Sequence, residues 1–165
     1  MNFLKKFFKG YEIEHMQVTF LSPDDLALAH KKKVRGNLDI SGLGNYRAKK
    51  LATVDGNLLV ADSAVLFAQK LQTVTQNLYA VNTHALNLPQ LKQAHCVYIS
   101  NVSYIHLPNL QNSRVVISKN CPIMQLDIPA GNVIEYADTP VSLDGLRKIL
   151  ADQITQRMKN SRKSH

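Results

Sequence analysis

The chain has 165 residues, 45% of them hydrophobic and 19% charged, enough for one domain with its own core. That balance excludes a wholly disordered chain, and no apolar run approaches the roughly 20 residues of a spanning helix. Two cysteines, Cys96 and Cys121, exclude a disulfide-dense scaffold and suit free thiols in a reducing cytoplasm.

Net charge is +8 with histidines neutral. It is unevenly spread. Lys31, Lys32, Lys33, Arg35, Arg47, Lys49 and Lys50 face a single acid, Asp39, across residues 31–50, and no carboxylate occurs between Ser63 and Leu126. Such a surface attracts polyanions, whether nucleic acid, anionic lipid or an acidic protein face.

In chain order, the opening residues MNFLKKFFKG lack the apolar stretch and cleavage site of a secretory signal. Phe3, Leu4, Phe7 and Phe8 would share one side of a short helix, better suited to lie on the domain than to anchor it to a membrane. Residues 11–20 suggest an extended segment. Ser22-Pro23-Asp24-Asp25 predicts a helix start, with a cap, a proline at the first position and two acids at the positive end. Residues 1–33 are therefore expected to form an N-terminal cap.

Residues 34–138 are built from repeats. Val34-Arg35-Gly36-Asn37-Leu38 recurs as Val54-Asp55-Gly56-Asn57-Leu58 and Val74-Thr75-Gln76-Asn77-Leu78. Leu38, Leu58, Leu78, Val97 and Val116 follow at spacings of 20, 20, 19 and 19, and Leu51, Leu71, Leu91 and Leu110 at 20, 20 and 19. Each unit opens with a short apolar strand. A polar turn follows, with Asp62, Asn82, Asn101 and Asn120 in equivalent places, where their side chains could form a ladder. A second apolar stretch ends at Pro89 or Pro108 in two units. Proline there suits a tight return turn. One unit of this length cannot bury its own apolar face, but stacked units cover one another. The predicted fold is a mainly β solenoid of five to six short coils with parallel strands. The linking segments are too short for the helices of an ordinary α/β domain.

Leu88-Pro89-Gln90-Leu91-Lys92-Gln93-Ala94-His95-Cys96-Val97-Tyr98-Ile99-Ser100-Asn101, returning to Leu107-Pro108, resembles the short bacterial leucine-rich repeats. The resemblance covers about residues 34–135. It implies an interaction scaffold rather than a reaction. The asparagine sits one residue early and alanine or serine often replaces leucine, which keeps another short-coiled β-solenoid open.

Pro140 precedes a second predicted helix, 139–159, in which Leu143, Leu146, Leu150, Ile154 and Met158 form one apolar stripe at helical spacing. It is expected to cap the last coil or lie on the solenoid's side. Residues 160–165 read as a disordered tail.

Catalysis has little to stand on, and the chain is read as not an enzyme. The middle coils hold no acid for acid–base work. His84, His95 and His106 are 11 apart, out of phase with the coil, so no metal or cofactor site is expected. Gly42-Leu43-Gly44-Asn45 lacks the lysine of a phosphate loop and reads as a turn.

Two surfaces remain. Leu59, Tyr79, Tyr98 and Ile117, with Ile134 as a candidate fifth member, are expected to form an outward apolar row. It would be covered by the chain's own termini, by a second copy or by another protein. Lys31, Lys32, Lys33, Arg35, Arg47, Lys49, Lys50 and Lys70 form the candidate polyanion surface. The leading expectation is a cytoplasmic protein-binding scaffold, such as a small bacterial or phage accessory or inhibitor protein. The alternative is a basic nucleic-acid-binding protein.

Overall fold

The computed structural model describes residues 30–62, 65–138 and 148. The expected N-terminal cap up to residue 29, the helix 139–159 apart from Lys148, and the tail lie outside them. In chain order the strands are β1 (Lys33–Arg35), β2 (Leu38–Asp39), β3 (Asn45–Arg47), β4 (Thr53–Asp55), β5 (Leu58–Ala61) and β6 (Val65–Phe67). Then follow β7 (Thr73–Val74), β8 (Asn77–Asn87), β9 (Cys96–His106), β10 (Arg114–Ser118), β11 (Gln125–Asp127) and β12 (Val133–Ala137).

Every pairing between these strands is parallel, and each joins one coil to the next. The result is a parallel β-solenoid of about five turns. One face is the sheet β1-β4-β7, and a second runs β12-β10-β9-β8-β5-β2. The third starts as β3-β6 and continues in the far halves of β8 and β9, with β11 beside β9.

The corners follow from local chemistry. Leu51 N–H donates to Ala48 O, Leu71 to Ala68, Leu91 to Leu88 and Leu110 to Leu107, so the same tight turn recurs in four coils. Pro89 and Pro108 occupy its second position, where a fixed φ near −65° is favourable. At the next corner Asp62, Asn82 and Asn101 adopt φ of 51°, 52° and 54°. Short polar side chains tolerate this left-handed region best. Asn101 Nδ2 donates to Asn82 Oδ1 at 3.1 Å, one rung of the expected ladder. Asn120 does not share the left-handed backbone.

A second amide ladder lies deeper. Asn57 N and Nδ2 donate to Asn37 Oδ1 at 2.9 and 3.0 Å, Asn57 Nδ2 to Gln76 Oε1 at 2.8 Å, and Asn77 N to Asn57 Oδ1 at 3.0 Å. The Asn-Leu repeat is thus explained at both positions. Asparagine ties each coil to the next, and leucine fills the core.

Inward side chains stack in columns. Leu38, Leu58, Leu78, Val97 and Val115 form one, and Ile40, Val60, Ala80, Ile99 and Ile117 the next; all are at most 1% exposed. The expected core position Val116 is corrected by one residue. Ser113 Oγ donates to Ala94 O, which sets Ser113 beside Ala94. Arg114 then pairs with Cys96, Val115 with Val97, Val116 with Tyr98 and Ile117 with Ile99. One residue fewer separates Ser113 from its strand, and a shift of one exchanges the two faces. Ile117 therefore points into the core, and Val116 takes its place in the outward row.

Candidate functional site

Three surfaces stand out, and the outward row is the first. Leu59, Tyr79 and Tyr98 are aligned by strand register. The Tyr79 and Tyr98 rings stack with centroids 5.1 Å apart and planes 10° from parallel. Leu59, Ala61, Tyr79 and Val81 form a second apolar cluster, with Tyr98 packed against it. Leu59 is 0% and Tyr79 5% exposed, so this part of the row is closed to solvent within one chain. Tyr98 is half-buried. Beyond it the face turns polar, with Arg114 Nε and Nη2 donating to Glu135 at 3.1 and 2.6 Å. Ile134 is not in this row. It pairs with Val115, at the end of an inward column.

Burial sets the ionisation of this face. It pushes the Tyr79 phenol up, a shift reduced by the hydrogen bond from Asn77 Nδ2 at 3.0 Å. It also pushes the Cys96 thiol up, partly offset by a hydrogen bond with Tyr98. A raised thiol is the opposite of an activated nucleophile. Cys121 is half-buried, accepting from Val102 N–H at 3.3 Å and donating to Val102 O at 3.2 Å.

The second surface is a basic groove. Lys32, Lys50, Ala52, Gln69, Lys70, Gln72 and Gln90 line a groove of about 580 Å³. Lys49-Lys50, Gln69-Lys70 and Pro89-Gln90 are the central residues of the stacked tight turns. Along the other wall, Ala52 and Thr53 N–H donate to Lys32 O, and Gln72 and Thr73 N–H to Ala52 O. The walls are therefore hydrogen-bonded backbone and the lining side chains are exposed or half-buried. Other candidate cations stand elsewhere. Lys33 Nζ pairs with Asp55 at 3.4 Å, and Arg47 lies 5.6 Å from the Phe67 ring centroid. Lys31 and Arg35 do not line the groove either.

The third surface was not legible as a site in the sequence. At the C-terminal end of the stack Met124 is 73%, Val133 59%, Ile134 38% and Tyr136 59% exposed. Ile134 and Tyr136 occupy inward columns, paired with Val115 and Ile117. They are exposed because no described coil follows. At the other end Val34, Leu38 and Ile40 are 0–1% exposed although no described coil precedes them.

The remaining polar groups are dispersed. His106 Nδ1 lies 2.6 Å from Asp127, His84 meets Tyr104 edge-on, and Lys119 pairs with Asp138. Among the described residues no three His, Cys, Asp or Glu side chains converge as a metal site, and no helix is long and apolar enough to cross a membrane. Compared with known protein families, with curated proteins and with solved structures, the chain finds no match.

Proposed function

We propose that this chain is a non-enzymatic repeat scaffold of the short leucine-rich-repeat type, acting in the cytoplasm by holding another protein. Its open C-terminal end carries this reading. There, among the described residues, the strand β12 has a neighbour, β10, on one side only, and Ile134 and Tyr136 leave apolar surface in water. Exposed apolar area costs about 25 cal/mol per Å², and an unpaired edge strand is a template for another chain. A partner that adds one extended segment would satisfy both, by continuing the sheet and covering the two columns. A scaffold that holds a partner this way would serve as an accessory or inhibitory protein. This site replaces the outward row, since Leu59 and Tyr79 are already covered.

The test is partner capture with nuclease present, comparing the natural chain with an Ile134→Asp, Tyr136→Asp variant. The two positions are exposed at a sheet end, so folding should survive the change. Loss of the partner from a variant that melts normally supports the reading. A partner held equally by both proteins overturns it.

A further inference from the structure

We infer that the groove along the first three coils binds the backbone of single-stranded nucleic acid. This surface is separate from the C-terminal end, so the two readings stand or fall independently.

The geometry is that of a line, not a point. Lys50 and Lys70 occupy the same turn position in successive coils, and adjacent parallel strands lie about 4.8 Å apart. Lys32 stands on the opposite wall, at the head of the ladder Lys32–Ala52–Gln72. Cations strung along the solenoid axis suit a chain of phosphates better than one anion. Among the described residues no carboxylate lines the groove, and Lys32, Lys50 and Lys70 make no ion pair. Three lysines lining one groove, with no described carboxylate among its lining, give it a positive potential that favours an anion. Gln69, Gln72 and Gln90 add neutral amide donors between the charges. Ala52 keeps the wall between them low.

One exposed aromatic residue stands shortly before a groove-lining turn in the chain. Phe67 is 38% exposed, on the outer face of β6. It lies two residues before Gln69, which places it about 7 Å or less from that turn along the chain. Arg47 Cζ lies over the ring, 5.6 Å from its centroid. A base can lie against the remaining aromatic surface while its phosphates follow the lysines, the usual division of labour in sequence-tolerant binding. A protein partner with an acidic face could use the lysines but has no need of this ring. The aromatic neighbour therefore favours nucleic acid.

The experiment is fluorescence polarisation with labelled oligo-uridine and oligo-thymidine strands of about 20 nucleotides, at about 50 mM salt and upward. The natural chain should bind, with log K falling linearly in log salt. Lys32→Gln, Lys50→Gln, Lys70→Gln together should weaken binding at least tenfold. They should also reduce the slope by about 2, since each single-strand phosphate contact contributes about 0.7. A control carrying Lys33→Gln, Arg114→Gln and Lys119→Gln makes the same change in net charge at described residues that do not line the groove, and should bind nearly as the natural chain does. Phe67→Ala should weaken binding about fivefold or more while leaving the salt slope unchanged. Absence of binding at low salt overturns the inference. Equal losses in the groove and control variants also overturn it, because the charge would then act diffusely. So does binding insensitive to Phe67→Ala, which would reduce the groove to a general polyanion trap.

Discussion

Asn57 Nδ2 bridges Asn37 Oδ1 and Gln76 Oε1, at 3.0 and 2.8 Å, so one buried amide joins three successive coils. Its own Oδ1 accepts from Asn77 N–H, and the residue is 1% exposed. Removing it takes these bonds from the Asn77 N–H and from Gln76 Oε1, while Asn37 Oδ1 keeps the Asn57 backbone N–H. Each such group costs about 1–3 kcal/mol. Asn57→Ala should therefore lose about 2–4 kcal/mol, read as a lower urea midpoint. Asn82→Ala, at the exposed ladder, should lose less than half as much. Equal losses at the two sites would show that burial of the ladder is not what matters.

Gly56 sits where the coils approach closest. A Cβ there would lie 2.4 Å from Gly36 O, a backbone atom that cannot swing away. Gly36 itself holds φ +103°, outside the range of other residues. Gly56→Ala should cost about 1–3 kcal/mol through overpacking and separate the first two coils. Gly42→Ala meets no atom within 4 Å, so its cost should come only from its φ of +72° and remain near 1 kcal/mol. Urea melts of the two variants compare the effects directly.

The register of the fifth coil is testable by charge. Val97 and Val115 are both 0% exposed and paired. Val97→Asp and Val115→Asp should each prevent folding, because an unpaired buried charge costs several kcal/mol against a total of about 5–15. Val116→Asp places its charge on the half-buried outer face and should leave a folded, less stable protein. Circular dichroism melts decide. A folded Val115→Asp beside an unfolded Val116→Asp would restore the register expected from spacing alone.

Alkali should weaken the fold. Burial raises the pKa values of Tyr79, Tyr98 and Cys96, so the folded chain holds these protons more tightly than the unfolded one. The associated stability is complete below the unfolded values of about 8.5–10 and is lost as pH rises through the higher folded values. The melting temperature should therefore fall from about pH 9 upward. Tyr79→Phe removes one of the three groups and should make the decline shallower. At neutral pH it should cost about 1 kcal/mol, for the hydrogen bond from Asn77. A decline as steep as that of the natural chain would exclude Tyr79 as a contributor.

The candidate sites were legible only in part. The repeat period placed Lys50 and Lys70 together, since residues one coil apart must be neighbours. It could not add Lys32, which reaches the groove across a corner. Nor did it single out Gln69, Gln72 and Gln90, because uncharged amides leave no mark in a charge count. Phe67 lies in an apolar run of the sequence, in which Leu66 fills the core and Phe67 faces out.

What the sequence by itself determined is the stack. A spacing of 19–20 residues, Asn-Leu pairs and a recurring tight turn suffice, because each unit can bury its apolar face only against a copy of itself. The left-handed corners at Asn82 and Asn101 follow from residue type in the same local way. Exposure was decided only by the tertiary structure. Leu59 and Ile134 are both apolar strand residues, yet one is 0% and the other 38% exposed. Leu59 faces outward but is covered, and Ile134 continues an inward column that no described coil follows. The single residue lost before β10 acts the same way: it moves Val115 inward and Val116 outward although both are valine. Burial is a property of what lies across a gap in space, and local spacing carries no measure of that gap.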